Sequence, residues 1–386
     1  MSDDEEYNDD DENDEDDEAE HEVDQKAKNP ESMITDLLRA LQLNRNDSAG
    51  KKIDTDIKKH CASWLKIGDE SIKSSLRAAV EFPKTKHGDN ISFDEINSII
   101  GMTQVKQDLM EIIVYPALRP TLFRGLRSPA SGILMFGPPG TGKTFIAAKV
   151  AHSTNATFFN ISASTITSKY SSDTEKMVTT LFTLVRCFRP SVVFLDEVDS
   201  ILSTRGGAAE GESSRRLKTQ FLTEFDGVGK NNDSVLFIAA TNLPYDLDSA
   251  VLRRFPKRVF VDLPIANDIA RLISLDLKNG QINHELTESN INTIAEKMYH
   301  ASYSNSDIKN ISKEAAMIPL RELLGKTTPD DFADSSKPLE VGNLTIDHYE
   351  TAMVHYHPSF HKFESGTGNL TDAYQKLVRF KDGKSD

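Results

Sequence analysis

The strongest chemical signal in the sequence is a glycine-rich stretch between an apolar run and a helical pattern. The phosphate-binding pattern G-x-x-x-x-G-K-[ST] is matched by Gly137-Pro138-Pro139-Gly140-Thr141-Gly142-Lys143-Thr144. Glycines let successive backbone N–H groups face phosphate oxygens, and the N-terminus of the following helix adds partial positive charge. We expect Lys143 to reach the β- and γ-phosphates and the Thr144 hydroxyl to hold Mg²⁺. The alternative, a chance Lys-Thr after a glycine turn, is disfavoured by the flanking strand and helix.

Two adjacent carboxylates form the second signal. The apolar run Val192–Leu195 predicts a buried strand, and Asp196 and Glu197 follow it directly. Ligand sites of open α/β sheets lie at the carboxyl ends of strands, where these acids would stand. We expect Asp196 to hold Mg²⁺ through water and Glu197 to orient and polarise an attacking water. A solvated strand end is the alternative, but the upstream glycine loop favours the catalytic interpretation.

Three further polar residues fit the same chemistry. Asn242 follows the apolar run Val235–Ala239 closely; an amide there would sense the γ-phosphate, although asparagine after a strand is usually a turn residue. Arg253 and Arg254 follow a short helical turn, and phosphoryl transfer often uses an arginine to neutralise charge at the γ-phosphate. If a neighbouring subunit supplied that arginine, hydrolysis would require a ring. A solvated surface is the alternative.

Alternating strand and helix patterns must position these side chains. Short apolar runs recur between helical patterns, which predicts a parallel sheet with helices on both faces. The predicted strands are Ile133–Phe136, Thr157–Ile161, Val192–Leu195, Val235–Ala239 and Val259–Leu263. Residues 91–264 are therefore predicted to form a P-loop α/β domain with its functional residues at the carboxyl edge of the sheet.

Only helical patterns follow Pro264. The predicted helices are 267–279, 288–299, 305–324, 345–356 and 371–380, and the Pro/Ser/Asp-rich patch 327–338 is predicted to be a loop. Residues 265–386 are therefore predicted to form a smaller helical domain that ends in a C-terminal helix.

The N-terminal part differs from the rest in charge. Residues 1–24 carry sixteen Asp and Glu and no Lys or Arg, so removing them from the net charge of −15 leaves about +1. Such a block repels itself and buries no core, so residues 1–31 are predicted to be a disordered acidic tail. Residues 32–82 show helical patterns that stop before Pro83. This segment is interpreted either as an adaptor for a partner or as a linker packed on the next domain.

Composition limits the class of protein. The chain of 386 residues contains two cysteines, Cys61 and Cys187, which favours a reducing compartment over a disulfide framework. Apolar runs fall short of the roughly 20 residues of a transmembrane helix, and the acidic N-terminus does not resemble a secretory signal. We expect a cytoplasmic protein, with the nucleus, the cytoskeleton or a membrane surface reached through partners as alternatives. The acidic end argues against direct nucleic-acid binding.

Several segments outside the phosphate motifs carry a family resemblance. They are Ile91–Ile96 with Gly101, Pro120–Arg127, Asn155–Ser162, Ser213–Thr219 and Phe225–Val228. Together with the glycine loop and the paired acids, they make the region 91–325 resemble the AAA ATPases. The similarity is to the meiotic group, which contains spastin, fidgetin, katanin and the ATPase that disassembles ESCRT-III.

The resemblance implies ATP and Mg²⁺ as ligands and a two-part module that assembles into a homo-hexamer when ATP is bound. It implies that Asn242 is sensor 1 and that Arg253 and Arg254 are arginine fingers acting on a neighbour's nucleotide. Ser304–Asp307 resembles the motif of the small domain that faces the nucleotide. Ser302 and Asn305 stand where the family usually has glycines.

The resemblance also implies a central pore that grips a polypeptide. Lys169 and Tyr170 match the first pore loop, in which Ser171 and Ser172 replace the usual aliphatic residue and glycine. Ser203–Arg216 matches the second pore loop, whose basic residues are Arg205, Arg215 and Arg216.

Three hypotheses for the function remain open, and the first two differ in the substrate. The first is a motor that threads or remodels a protein, as in microtubule severing, where positive pore residues would attract the acidic tails of tubulin. The second is disassembly of ESCRT-III-like or other assemblies, with residues 32–82 as the adaptor. The third is a non-catalytic nucleotide-binding scaffold, against which the intact catalytic residues argue. The acidic tail would either occupy the pore mouth and inhibit, or keep the protein soluble.

Overall fold

A computed structural model describes the chain from residue 70 onward, with gaps. The described residues are 70–81, 94–154, 156–166, 174–203, 212–228, 234–327, 332, 339–363 and 370–383. The predictions for the acidic tail, for most of 32–82, for most of the loop 327–338 and for Lys169, Tyr170 and Arg205 lie outside these residues.

One six-stranded sheet organises the N-terminal two thirds of the described chain. Its strands are β1 (Val80–Glu81), β2 (Gly132–Phe136), β3 (Thr157–Ser162), β4 (Ser191–Asp196), β5 (Val235–Thr241) and β6 (Lys257–Phe260). Their spatial order is β1-β3-β4-β5-β2-β6. Strands β2 to β6 are parallel, and β1 adds an antiparallel edge beside β3. The predicted α/β class with a parallel sheet is confirmed for strands β2 to β6, whereas the antiparallel edge strand β1 was not predicted.

Helices cover both faces of this sheet. They are α1 (Glu70–Ala79), α2 (Asp94–Asn97), α3 (Thr103–Leu109), a π-helical turn (Met110–Val114), α4 (Tyr115–Leu118), α5 (Lys143–Ser153), α6 (Ala163–Ile166), α7 (Thr174–Cys187), α8 (Asp199–Leu202), α9 (Glu212–Val228) and α10 (Ser249–Arg254). Short 3₁₀ turns occupy Pro120–Leu122, Gly125–Arg127 and Pro244–Asp246.

Successive residues of β5 show how the two faces are filled. The Phe237 ring stacks on Phe182 of α7 at 5.1 Å and lies 4.9 Å from the Phe225 ring of α9. The next residue, Ile238, belongs to the buried cluster that includes Ile146 of α5. Because adjacent strand residues point to opposite faces, β5 is buried on both sides, as expected for a central parallel strand.

Two predicted boundaries are wrong, both because strand pairing is decided by residues distant in sequence. The sequence predicts helical structure up to residue 82, but α1 ends at Ala79 and Val80 pairs with Phe159 of β3. The strand predicted at Val259–Leu263 is β6, Lys257–Phe260, whose register follows β2 and ends where Phe136 faces Phe260.

The C-terminal helices form a second buried cluster. They are α11 (Ala266–Gly280), α12 (Glu288–His300), α13 (Asn305–Lys326), α14 (Ile346–His355) and α15 (Asp372–Lys381). Fully buried members of the cluster include Ile273, Met298, Ile311 and Tyr349. Within the described part of the chain, no helix has the length and apolar character needed to cross a membrane.

Helix α15 packs on the sheet, although the sequence grouped it with the helical domain. The Phe380 ring meets Phe136, the last residue of β2, edge-on at 5.0 Å. The Tyr374 hydroxyl donates to Asp262 Oδ2 at 2.8 Å, and burial raises the pKa of Tyr374. The C-terminal helix therefore contacts the strand that precedes the glycine loop.

Two leucines of α11 give a matched test of the helical core. Leu277 is 6% exposed and Leu275 is 39% exposed. We expect Leu277→Ala to lower the free energy of unfolding by about 3 kcal/mol, because it removes buried methyl groups and leaves a cavity. The control Leu275→Ala should cost less than about 1 kcal/mol. Urea denaturation measures both, and equal losses would contradict the burial of Leu277 in the helical core.

Candidate nucleotide site

The glycine loop joins the C-terminal end of β2 to the first turn of α5. Gly140 and Gly142 have φ values of +71° and +92°, in the left-handed region that favours glycine. A methyl group on Gly140 would collide with Ser304 Oγ, and one on Gly137 would collide with the Val261 carbonyl oxygen. The loop is therefore a close-fitting cradle of backbone, as the sequence pattern requires for phosphate binding.

Lys143 is the buried cation of this loop, with 8% of its surface exposed. Its Nζ donates to Gly137 O at 3.1 Å, to Pro138 O at 2.8 Å and to Asn242 Oδ1 at 2.8 Å. Burial lowers the pKa of Lys143 from 10.5 to about 8, against the opposing attraction of Asp196 and Asp199. Oxygen acceptors thus surround an ammonium group that has been largely removed from water.

Thr144 and Asp196 meet across the sheet edge. The Thr144 hydroxyl donates to Asp196 Oδ2 at 3.0 Å, and the backbone N–H of Glu197 donates to Asp196 Oδ1 at 3.0 Å. Hard oxygen donors of this kind suit Mg²⁺, which usually takes only one or two protein ligands. Among the described residues, no group of three or more His, Cys, Asp and Glu is arranged to hold a metal. The Thr144 hydroxyl and the Asp196 carboxylate are oxygen donors that suit Mg²⁺ when water and phosphate oxygens complete its coordination.

The order of the strands explains why Asn242 reaches Lys143. Strand β5 lies between β2 and β4, so the residue after its end stands beside the glycine loop. Two further hydrogen bonds lie at the same edge of the sheet. The Thr241 hydroxyl donates to Asp199 and accepts from the Leu243 N–H at 2.9 Å. Sequence reasoning assigned no role to Thr241 or Asp199. The sequence signal for these two residues was that each is polar and close to a predicted site residue. Thr241 directly precedes Asn242, and Asp199 lies three positions after Asp196.

Glu197 has an unusual backbone conformation and an exposed side chain. It is exposed, directly follows β4 and has a φ of +51°, which is uncommon for a residue other than glycine. The Ser200 hydroxyl donates to its carbonyl oxygen at 2.6 Å and holds the turn. The backbone of Glu197 is therefore constrained, and its exposed side chain follows Asp196 directly at the end of β4.

The two predicted arginines lie far from the glycine loop of their own chain. Arg254 forms a two-point contact with Asp226, with Nε to Oδ1 at 2.8 Å and Nη2 to Oδ2 at 2.6 Å, and this bonding raises the pKa of Arg254. Arg253 is exposed. A methyl group on Gly132 would meet the Arg254 carbonyl, so Arg254 lies at the amino end of β2. Lys143 lies beyond the other end, roughly 15 Å away by the rise of a strand.

Of the predicted pore residues, Arg215 and Arg216 fall within the described chain. Both are exposed on α9 and line an open cleft with Glu175 of α7. Gln220 Nε2 donates to Thr179 Oγ1 at 3.0 Å and ties the two helices together. The start of α7, which follows the first predicted pore segment, therefore lies beside the last two residues of the second, Arg215 and Arg216 on α9.

The predicted Ser304–Asp307 motif lies directly on the glycine loop. Asn305 Nδ2 donates to Thr141 O at 2.9 Å, and the Ser306 N–H donates to Gly140 O at 3.1 Å. The first turn of α13 therefore attaches the helical part of the chain to the phosphate cradle.

Comparison with known protein families and sequences places these features among ATPases. The model of the ATPase family associated with various cellular activities (AAA) matches residues 133–263. Spastin from Naegleria gruberi is 44% identical over 266 residues, which cover 68% of this chain and 49% of that protein. Human spastin (Homo sapiens) is 44% identical over 276 residues, which cover 71% of this chain and 44% of that protein. The chain thus spans about half the length of these relatives.

This chain is also similar to solved structures of AAA proteins, and the similarity extends over nearly the whole of each solved chain. The crystal structure of the FIGL-1 AAA domain in complex with ADP is 34% identical, with a TM-score of 0.66, covering 82% of this chain and 97% of that one. A structure of katanin, concerned with its self-assembly, is 32% identical, with a TM-score of 0.62, covering 81% of this chain and 97% of that one.

The lowered pKa of Lys143 predicts a pH-dependent stability. Between pH 8 and 10.5 the unfolded chain keeps a proton on Lys143 that the folded protein loses, so stability rises with pH through this window. We expect the unfolding free energy of wild type, relative to Lys143→Met, to rise by about 1 kcal/mol from pH 8 to pH 9. Denaturation at each pH measures it. Lys143→Arg, charged throughout, should show no such rise relative to Lys143→Met, and a flat wild-type difference would contradict the prediction.

Proposed function

The chain belongs to the AAA family of ATPases, and we propose that it is a ring-forming motor that hydrolyses ATP to remodel protein assemblies, with microtubules as substrate. One observation supports hydrolysis most directly. Lys143 contacts Asn242 while Thr144 contacts Asp196, so residues from three different elements converge at one edge of the sheet. This is the set that phosphoryl transfer needs, namely a phosphate-binding cation, a metal site and polar groups for the attacking water.

Each residue has a distinct role in the proposed reaction. The loop N–H groups and Lys143 bind the phosphates, and Mg²⁺ held by Thr144 and Asp196 would neutralise charge that develops on them. The exposed Glu197 carboxylate accepts a proton from the attacking water. Asn242 positions that water and senses the γ-phosphate.

The position of the arginines supports hydrolysis in a ring. Arg254 lies at the amino end of β2, so it does not reach the phosphates bound by its own chain. We propose that Arg253 and Arg254 of one subunit complete the site of the next, in a homo-hexamer. The contact with Asp226 would hold the Arg254 guanidinium in place for this role.

The choice of microtubules rests on the similarity to spastin and katanin and on charge. Arg215 and Arg216 are exposed on α9, beside the start of α7. In a ring, these arginines together with Lys169 and Tyr170 would line the pore and attract the acidic tails of tubulin. Such a role would place the protein at the cytoskeleton in the cytoplasm.

We expect Glu197→Gln to bind ATP with wild-type affinity but to lose at least about 100-fold in turnover, because only the acceptor of the water proton is changed. The same variant should decorate immobilised fluorescent microtubules without cutting them, whereas wild type with ATP should sever them. Lys143→Met is the control that loses ATP binding itself. Filaments that stay intact with active wild type would reject severing and leave another assembly as the substrate. Undiminished turnover of Glu197→Gln would reject the catalytic assignment.

Mixing two inactive variants tests whether the arginines act between subunits. Glu197→Gln keeps its arginines and Arg253→Ala keeps its carboxylate, so mixed rings contain some interfaces with both groups intact. We expect the mixture to recover ATPase activity that neither variant has alone. Asp226→Asn, which weakens the hold on Arg254 without removing a guanidinium, should reduce turnover less than Arg254→Ala. Full activity of an isolated Arg253→Ala, Arg254→Ala double variant would contradict the ring mechanism.

A further inference from the structure

A buried hydroxyl group joins the ends of two neighbouring strands at the nucleotide site. Thr241 is the last residue of β5, and 2% of its surface is exposed. Its hydroxyl donates to Asp199 Oδ1 and accepts from the Leu243 N–H at 2.9 Å. The proposed reaction uses the nearby Glu197 and Asn242, but it assigns no task to Thr241 or Asp199.

The two neighbours of β5 differ in how far they stay paired with it. The pairing of β2 with β5 continues to Phe136 and Thr241, at the carboxyl end of both strands. The pairing of β4 with β5 ends earlier, at Leu195 and Ala239. Regular strand pairing therefore does not set the position of the residues that follow Leu195 relative to the end of β5.

Two hydrogen bonds take the place of the missing strand pairing. The Val198 N–H donates to Ala240 O at 3.0 Å. The Thr241 hydroxyl donates to Asp199, the first residue of α8. Because Val198 and Asp199 directly follow Glu197, both bonds attach the turn that carries Glu197 to the end of β5.

The same hydroxyl also shapes the turn that carries Asn242. By accepting from the Leu243 N–H, it closes a turn of the kind that threonine forms with a backbone N–H two residues on. A hydroxyl has one proton, and a carboxylate can only accept. Asp199 therefore takes that proton and leaves a lone pair of the Thr241 oxygen for the Leu243 N–H.

Lys143 determines which end of the Asn242 amide faces the reaction. Its Nζ donates to Asn242 Oδ1 at 2.8 Å. Because an ammonium group has no acceptor, the reversed amide would lose this bond, so Nδ2 is the end that can donate to a water. Such a water can give a proton to the Glu197 carboxylate and keep one lone pair for the phosphorus.

Glu197 and Asn242 must hold one water between them, so the separation of their two turns matters to the reaction. We propose that Thr241 and Asp199 are positioning residues, whose hydrogen bond keeps Glu197 and Asn242 at the separation that the attacking water requires. The inference rests on the proposed function, in which Glu197 accepts the proton of that water. The competing explanation is that the bond only satisfies a buried hydroxyl and stabilises the fold.

Thr241→Val tests the bond, because it keeps the shape of the side chain and removes the hydroxyl. We expect kcat to fall at least about tenfold while ATP affinity changes less than about threefold, since displacing the groups that hold the water affects the chemical step rather than phosphate binding. Thr241→Ser, which keeps the hydroxyl, should recover most of kcat. Turnover at saturating ATP and equilibrium binding of a fluorescent ATP derivative measure the two quantities. Equal losses of ATP affinity and of kcat would overturn the inference.

Two substitutions of Asp199 examine the bond from its other end and replace Thr241→Val if that variant does not fold. Asp199→Ala and Asp199→Asn both remove a negative charge that attracts Lys143. Of the two, Asp199→Asn keeps a side-chain oxygen that can accept from Thr241. We expect the kcat of Asp199→Asn to exceed that of Asp199→Ala by about fivefold or more. Equal kcat values would contradict a role for the hydrogen bond.

Ser191→Ala is the matched control for stability. Ser191 is also 2% exposed, and its hydroxyl donates to Val185 O at 3.0 Å, but it lies at the amino end of β4, away from the site. We expect this variant to lose stability as Thr241→Val does and to keep kcat within about twofold of wild type. If Thr241→Val lowers kcat no more than Ser191→Ala does, the bond is structural and the inference is wrong.

The measurements separate failure of this inference from failure of the proposed function. ATP hydrolysis by wild type that Thr241→Val leaves unchanged would overturn the role of Thr241 alone. Lack of ATP hydrolysis by wild type would reject the proposed function, and the positioning role with it.

Discussion

The structure depends on compensating one buried cation. Removing an ammonium group from water is costly unless oxygen atoms replace the lost solvent. For Lys143 these are two carbonyls of its own loop and the Asn242 amide, with Asp196 and Asp199 adding attraction. Because these groups come from β2, β4 and β5, the compensation is available only when the three strand ends lie side by side. The buried ammonium group of Lys143 is therefore compensated only because β5 lies between β2 and β4 in the sheet.

The glycine loop has a second constraint, imposed by the helical part of the chain. The first turn of α13 binds the loop through Asn305 and Ser306, and collisions would follow if Gly140 carried a side chain. The helical part is therefore attached at the phosphate cradle itself, and the packing of α15 on the end of β2 gives a second attachment. The hydrogen bonds to Thr141 O and Gly140 O therefore link the position of the loop to that of the first turn of α13.

Strand β2 separates two cationic side chains, one near each of its ends. Lys143 lies beyond its carboxyl end, while Arg254 lies at its amino end and is paired with Asp226. Because every residue of β2 is buried, the strand is held by packing and its two ends stay apart. The proposal that another copy of the chain supplies the completing arginine, and that hydrolysis occurs in a ring, rests on this separation.

The sequence by itself located five of the six strands, the five C-terminal helices and the glycine motif that includes Lys143, because these depend on local periodicity and on a contiguous run of residues. Asp196 could be added because it directly follows an apolar run. The tertiary structure alone decided which distant segments meet. It pairs Val80 into the sheet, places Arg254 at the opposite edge from the loop, and sets Asn305 on the Thr141 carbonyl. Such contacts join residues up to 164 positions apart, and no local pattern records them, since they arise only when the whole chain packs.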